Sequence, residues 1–222
     1  MTERACPVVL AAPSGTGKTT LARRLVEGPG RYVFSVSATT RSPRGTEQDG
    51  IDYHFVSREA FLGMVERGEL AEWAEVHGRM YGTPKAVLET AAEAGQHVLL
   101  DIDVQGARQV RAAIPDTKLI FVLPPSVASL MERLQGRGTE DRREVVLRLR
   151  SAMEELRAAE DFDYVVVNDD LDRCLVEIQG IIAGSVPADG TSGSRERARA
   201  LRDEVARLLV EYGEDGAGAE GA

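Results

Sequence analysis

The chain has 222 residues, a formal net charge of -9, and 43% hydrophobic and 28% charged residues. This length allows one or two domains with a core that needs no disulfide bonds. The negative charge argues against broad binding to nucleic acid or to an anionic membrane, and no run approaches the roughly 18 apolar residues of a membrane span. The two cysteines, Cys6 and Cys174, match no metal spacing, so a reducing cytoplasm is the simplest expected compartment.

The first predicted elements enclose a glycine-rich loop. A continuously apolar run predicts a buried strand at Val8–Ala12, and helical leucine spacing predicts a helix at Lys18–Glu27. The segment at 12–19, A-P-S-G-T-G-K-T, is a Walker A pattern with alanine in place of the first glycine. Its glycines let backbone N–H groups face a phosphate, the lysine can reach the β- and γ-phosphates, and the threonine hydroxyl can ligate Mg²⁺. The residues predicted to bind a triphosphate donor are Ala12, Pro13, Ser14, Gly15, Thr16, Gly17, Lys18, Thr19 and Thr20.

A polar, arginine-rich segment follows the second predicted strand, Tyr32–Val36. Residues 37–56 are weakly periodic, which suits an inserted binding region. Pro43 disfavours a helix, so Arg41 and Arg44 can converge from a loop. Two neighbouring guanidinium groups suit a phosphate dianion, and they predict a separate site for a phosphorylated acceptor.

Strands and helices alternate through the rest of the chain up to residue 182. The predicted helices are Arg58–Arg67, Pro84–Ala94, Gln105–Ala113, Val127–Leu134, Glu140–Glu160 and Leu171–Ile182, and the predicted strands are His97–Asp101, Lys118–Leu123 and Tyr164–Val167. Buried apolar strands that alternate with helices predict an α/β fold with a parallel sheet.

The last 37 residues differ in composition. Residues 186–194 are rich in Pro, Gly and Ser and are predicted to be a linker. Arg195–Tyr212 is predicted to be a charged amphipathic helix, and residues 213–222 to be disordered. All site motifs precede this tail, so truncation after Ser185 is expected to leave specific activity within a few-fold, unless the helix packs on the core or on a second subunit.

Several motifs in order resemble those of guanylate kinase from about Val8 to about Ile182: the P-loop, S-x-T-T-R-x-P-R, D-Y-x-F, E-W-A, Y-G-T, D-I-D-x-Q-G, P-P-S, G-R-G-T and V-N-D-D. The resemblance implies a P-loop NTPase-type parallel sheet flanked by helices, in a domain at 1–185. It also implies a GMP-binding insertion at about 37–94 and a helical lid at about 126–160. The implied activity is transfer of the γ-phosphoryl group of ATP to GMP, and by extension dGMP, in purine nucleotide metabolism.

The same resemblance implies a role for individual residues. Those implied around the GMP phosphate are Ser37, Arg41, Arg44, Tyr53 and Tyr81. Those implied at the guanine are Glu72 and Thr83, with Asp101 and Asp103 between acceptor and metal. Asn168 is implied near the donor base, and Mg²⁺ at Thr19 and, through water, at Asp101. The implied catalytic residues are Lys18, Arg41, Arg137 and Arg148, the last two from the lid.

The chemistry of the base gives independent support for a guanine site. Guanine presents N1–H and N2–H₂ donors side by side, and the carboxylate of Glu72 can accept both, whereas adenine would leave it unpaired. The hydroxyl of Thr83 can donate to guanine O6 or N7. Trp73, next to Glu72, is predicted to lie in the core.

Two alternatives stay open at this stage. One is a guanylate-kinase-like binding module without catalysis, which should have lost the P-loop and lid residues. The other is a P-loop kinase for a different small phosphorylated acceptor, against which the pairing of Glu72 with Thr83 argues. The expected substrates are ATP and GMP, with no nucleic-acid or membrane partner, and the oligomeric state is left as monomer or homodimer.

Overall fold

A computed structural model describes residues 5–28, 30–76, 78–135, 142–187 and 192–217. Its strands are β1 (Pro7–Ala11), β2 (Tyr32–Phe34), β3 (Ala38–Thr39), β4 (His54–Phe55), β5 (Leu70–Val76), β6 (Arg79–Pro84), β7 (His97–Asp101), β8 (Lys118–Leu123) and β9 (Tyr164–Val167). Its helices are α1 (Lys18–Glu27), α2 (Arg58–Glu66), α3 (Lys85–Glu93), α4 (Val104–Ala113), α5 (Val127–Gln135), α6 (Arg142–Ala158), α7 (Leu171–Ile182) and α8 (Ser192–Ala217).

The predicted apolar strands form a five-stranded sheet in the order β2-β7-β1-β8-β9. The pairs β1–β7, β2–β7 and β8–β9 are parallel. Each central strand is buried along most of its length, which explains why its sequence is a continuous run of Val, Leu and Ile. The α/β fold class is therefore confirmed. β2 ends at Phe34, two residues before the predicted end.

The predicted binding insertion contains a second, four-stranded sheet in the order β4-β3-β6-β5. β5 and β6 form an antiparallel hairpin, and β3 pairs antiparallel with β6. A small core of Ala38, Phe61, Leu70 and Met80 lies between this sheet and α2. The sequence did not predict β5 or β6, because the side chains of β5 reverse the usual pattern: Glu72 is 5% exposed and Trp73 is 39% exposed. The prediction that Trp73 lies in the core is wrong.

By its contacts the chain divides into two compact units. Unit 1 comprises the described residues of Met1–Leu10 and Ala22–Leu119, and unit 2 those of Ala11–Leu21 and Ile120–Ala222. The predicted insertion at about 37–94 lies within unit 1. The predicted lid at about 126–160 lies within unit 2, together with the glycine-rich loop.

The C-terminal helix packs within unit 2, with Ala198, Leu201 and Val205 at most 5% exposed. α8 contacts α6, α5 and β9. At its start, Arg195 donates to the carbonyl oxygens of Phe162 at 2.6 Å and Asp163 at 2.9 Å. The helix is therefore part of the packed core of unit 2. It is also longer than predicted: it begins in the predicted linker, and 213–217 continue it.

None of the helices in the described part of the chain is long and apolar enough to cross a membrane.

Candidate functional site

The glycine-rich loop lies in unit 2, between the end of β1 and the start of α1. Gly15 and Gly17 have φ of 81° and 90°, which side-chain-bearing residues rarely adopt. The Thr16 amide and hydroxyl both bond the Pro13 carbonyl oxygen, at 3.1 and 2.7 Å. The loop is therefore a fixed turn that leads into a helix N-terminus, where backbone N–H groups and the helix dipole favour a phosphate.

Two side chains of unit 2 hold the loop from outside. Arg133 on α5 donates to the Gly15 carbonyl oxygen at 2.9 Å, and the amide of Asn168 donates to the Thr16 carbonyl oxygen at 2.8 Å. A Cβ added at Gly15 would lie 2.8 Å from Arg133 Cβ, and one at Gly17 would lie 2.9 Å from Asn168 Nδ2. Sequence reasoning missed Arg133, since a single arginine at the end of an amphipathic helix carries no motif.

The predicted donor residues occupy the loop and the first turn of α1. Lys18 is half-buried, whereas Thr19 and Thr20 are exposed. Of the two predicted lid arginines, Arg148 is a half-buried residue of α6. Arg137 lies outside the described residues.

Unit 1 contains the predicted phosphate site of the acceptor. The side chain of Arg41 is 9% exposed, and its Cζ lies 5.0 Å from the ring centroid of Tyr53 and 5.7 Å from that of Phe55. Arg41 makes a bidentate ion pair with Glu47, with N–O distances of 2.8 and 2.9 Å. Hydrogen bonding to Glu47, and to a smaller extent to Tyr81, raises the pKa of Arg41, so this guanidinium stays charged.

Two threonines fix the loop that carries Arg41. Thr39 Oγ1 donates to the Met80 carbonyl oxygen at 3.0 Å and accepts from the Arg41 amide at 3.2 Å. Thr40 Oγ1 accepts from the Met80 amide at 2.9 Å. These bonds tie β3 to β6 and bring Arg41 beside Tyr81, which follows Met80 on β6. They give the T-T-R motif a structural reason.

The other residues predicted at the phosphate differ in exposure. The rings of Tyr53 and Tyr81 pack edge to face with centroids 6.1 Å apart. Ser37 is half-buried and its carbonyl oxygen accepts from the His54 amide at 2.9 Å. Arg44 is exposed, and its backbone amide donates to Glu47. Glu47 was not predicted, because a glutamate in a polar loop has no distinguishing pattern.

The predicted base-reading pair is buried in the same unit. Glu72 is 5% exposed and Thr83 is fully buried. Thr83 Oγ1 donates to Glu72 Oε1 at 2.7 Å. Burial raises the pKa of Glu72 from its ordinary value of 4.5 to about 7, with a smaller contribution from the charge of Asp103. The Thr83 hydroxyl therefore donates to Glu72, so without ligand it is not the free donor to guanine that the sequence suggested.

The start of α4 closes the other side of Glu72. Asp103 is the N-cap of α4, and its carboxylate accepts from the Gly106 amide at 2.8 Å. A Cβ added at Gly106 would lie 2.7 Å from Glu72 Oε2, so this position has room only for glycine. Asp103 thus has a structural role in addition to the one predicted. Asp101, at the end of β7, is half-buried.

Trp73 and α4 are joined by a polar contact. Gln109 Nε2 donates to the Trp73 carbonyl oxygen at 2.8 Å, and the Trp73 amide donates to Gln109 Oε1 at 3.3 Å. These two hydrogen bonds fix β5 against α4 one residue from Glu72. No sequence pattern marks this contact, since Gln109 is an exposed helix position.

The chain is similar to guanylate kinases in sequence and in fold. A family model described as guanylate kinase matches residues 4–185. The guanylate kinase of Nitratidesulfovibrio vulgaris is 55% identical over 78% of this chain and 83% of its own length. The guanylate kinase of Anaeromyxobacter dehalogenans is 51% identical over 79% of this chain and 78% of its own length. A crystal structure of guanylate kinase from Anaplasma phagocytophilum superposes with a TM-score of 0.68 at 36% identity, covering 82% of this chain and 87% of that one.

Proposed function

Because this chain belongs to the guanylate kinase family, we propose that it transfers the γ-phosphoryl group of ATP to GMP. The observation that carries the choice of acceptor is the buried pair of Glu72 and Thr83. Burial raises the pKa of Glu72 even though Thr83 donates to this carboxylate, so its charged form would be stabilised by further donors that a ligand brings. The N1–H and N2–H₂ groups of guanine are two such donors, side by side.

In unit 1 we assign the GMP phosphate to Arg41, with Tyr53 and Tyr81 beside it and with Arg44 and Ser37 as further contacts. The permanent charge of Arg41 and its position against two aromatic rings support this role. The guanine is assigned to Glu72, with Thr83 as the residue that orients the carboxylate. Asp101 is proposed to contact the metal through a water molecule, and Asp103 is proposed to contact the acceptor.

In unit 2 we assign the phosphates of ATP to the loop at 12–17, to Lys18 and to the hydroxyls of Thr19 and Thr20. Asn168 is proposed near the donor base, and its bond to the Thr16 carbonyl oxygen supports a role in shaping the loop. The two glycines let the loop pack directly against Arg133 and Asn168, and the exposed hydroxyl of Thr19 at the start of α1 is the kind of oxygen ligand that a phosphate-bound Mg²⁺ prefers. Thr19 would hold the ion, and Mg²⁺ would neutralise phosphate charge when bound.

The proposed reaction needs no general base. An oxygen of the GMP phosphate is already anionic near pH 7, and it attacks the γ-phosphorus of ATP while the bond to the β–γ bridging oxygen breaks and ADP leaves with the electron pair. Lys18 and the lid arginines Arg137 and Arg148 would neutralise the transferring group. Arg41 would hold the nucleophile in place.

The test is an acceptor panel. ADP release is measured with ATP, Mg²⁺ and each of GMP, dGMP, AMP, CMP and UMP, with a no-acceptor control for ATP hydrolysis. We expect GMP to exceed AMP, CMP and UMP by a factor of about 10⁴ or more, because a site built for particular hydrogen bonds rejects analogues that lack them. A different preferred acceptor would overturn the proposal, and no turnover with any of them would favour a binding module. The same assay without Mg²⁺ tests whether the reaction requires the metal. Gel filtration distinguishes a monomer from a homodimer.

A further inference from the structure

Glu47 closes a tight turn that begins at Arg44, the second arginine of the proposed phosphate site. The Glu47 amide donates to the Arg44 carbonyl oxygen at 3.0 Å, and the Arg44 amide donates to the Glu47 carboxylate at 2.7 Å. Gly45, inside the turn, has a φ of 53°. The turn returns the carboxylate toward Arg41, and two bonds to the Arg44 backbone hold it there.

Glu47 binds Arg41 along one edge of the guanidinium. Arg41 Nη1 donates to Glu47 Oε2 at 2.8 Å and to the Ser42 carbonyl oxygen at 2.9 Å, and Nη2 donates to Glu47 Oε1 at 2.9 Å. A guanidinium has five N–H donors in a rigid fork. These three bonds engage both donors of Nη1 and the donor of Nη2 that faces Nη1. The second donor of Nη2 and that of Nε form the other edge. This edge is left for the Tyr81 hydroxyl, which also bonds Arg41, and for a ligand, and its shape suits a bidentate oxyanion.

We propose that Glu47 is a positioning residue for GMP: it fixes the guanidinium of Arg41 so that the Nε–Nη2 edge is held ready for the phosphate. This inference rests on the proposed function, since it assigns the GMP phosphate to Arg41. An arginine without such a partner samples several rotamers, and the cost of ordering it is subtracted from ligand binding. The pairing with Glu47 removes that cost before the ligand arrives. The pKa of Glu47 is lowered, mainly by its hydrogen bond from Arg41, so the pair stays ionised at neutral pH.

The opposite role would be a carboxylate that competes with the phosphate for Arg41. Displacement would then have to break the bidentate pair and the bond from the Arg44 amide as well. The geometry favours a fixed support over a displaced one. The two roles predict opposite effects when the charge is removed, so one substitution distinguishes them.

The experiment compares Glu47→Gln and Glu47→Asp with the full-length parent. Glutamine keeps the shape but loses the charge and one acceptor, so we expect KM for GMP to rise about tenfold or more, with KM for ATP unchanged and kcat changed less than KM. Aspartate keeps the charge but is one methylene shorter, so it should fall between the parent and glutamine. Guanosine, which lacks the phosphate, is measured as a competitive inhibitor of GMP, and its Ki should stay the same in all three proteins.

The matched control is Glu69→Gln. Glu69 also pairs with an arginine through two bonds, from Arg67 at 2.6 and 3.1 Å, but both side chains are exposed and lie outside the proposed site. This variant should keep the parental KM values. A KM for GMP that falls or does not change in Glu47→Gln would overturn the inference. So would an equal loss of guanosine affinity, which would mean that the whole site had been disturbed. Failure of the proposed function itself would show separately, as absence of GMP-dependent turnover in the parent.

Discussion

Replacing Glu72 with glutamine removes the charge that burial disfavours and that guanine is proposed to satisfy. The shift of the Glu72 pKa from 4.5 to about 7 corresponds to roughly 3 kcal/mol of unfavourable free energy for the charged form in the folded protein. An acid whose pKa is raised on folding favours the folded state below its unfolded pKa, and this contribution is lost as pH rises through the folded pKa. We therefore expect Glu72→Gln to raise the free energy of unfolding relative to the parent, by up to about 3 kcal/mol at pH 8.

This stability difference should depend on pH in a defined window. Below about pH 4.5 the side chain at position 72 is neutral in the parent as well as in the variant, so the free energies of unfolding of the two proteins should differ least. Between about pH 4.5 and about pH 7 the gap should widen, and above that range it should stay constant. The assay is urea unfolding of ligand-free protein at pH 4.5, 6, 7 and 8, followed by circular dichroism. A gap that is constant over this range would refute the assignment of a raised pKa to Glu72.

Activity should move in the opposite direction to stability. The amide of glutamine must present its NH₂ group to one of the two guanine donors, so kcat/KM for GMP should fall by about 10² or more. In the parent, KM for GMP should rise below pH 7 as Glu72 takes up a proton. The GMP phosphate also titrates, near pH 6. The Ki of guanosine, which has no phosphate, isolates the Glu72 contribution. If Glu72→Gln keeps the GMP/AMP ratio of the parent, Glu72 does not read the base.

Three further predictions concern unit 2. Lys18→Ala should lower kcat by about 10²–10³ with little change in thermal stability, and near-parental turnover would exclude Lys18 from the donor site. Arg148→Ala should lower kcat far more than it raises KM for GMP, since the contact is proposed to form in the transition state, and a pure KM effect would place it elsewhere. Leu201→Ala should destabilise the protein by about 2–4 kcal/mol, because the side chain is 5% exposed in α8, whereas the exposed Val210→Ala should cost less than about 0.5 kcal/mol. Equal effects of the two would show that α8 does not pack.

The parallel sheet could be predicted from the sequence because its strands are apolar on both faces. β1 (PVVLA) and β7 (HVLLD) each contain a short uninterrupted apolar run, and no other element fits such short runs as well. The loop at 12–19 followed from its spacing alone. These features are local, so the residues that specify them are adjacent in the chain.

The four-stranded sheet β4-β3-β6-β5, the acceptor sheet, could not be predicted, because its functional residues break the pattern that identifies a strand. Glu72 faces inward to reach a base, and Trp73 faces outward. Glu47 and Arg133 were missed for a different reason. The partner that matters for each, Arg41 for Glu47 and Gly15 for Arg133, is 6 or 118 positions away, and no spacing rule encodes such a contact. The fit of α8 to unit 2 likewise depends on a surface formed by other elements.

The position of Trp73 has a spectroscopic consequence. It is the only tryptophan of the chain, it is 39% exposed, and its backbone is bonded to Gln109. Tryptophan fluorescence, excited where tyrosine does not absorb, therefore reports on β5 and α4 alone. The far-ultraviolet circular dichroism is instead dominated by helices that include the long α6 and α8. Unfolding followed by both signals measures the cooperativity of the molecule without a label. Coincident transitions would make it a single folding unit, and separated transitions would give the stability of the acceptor sheet by itself.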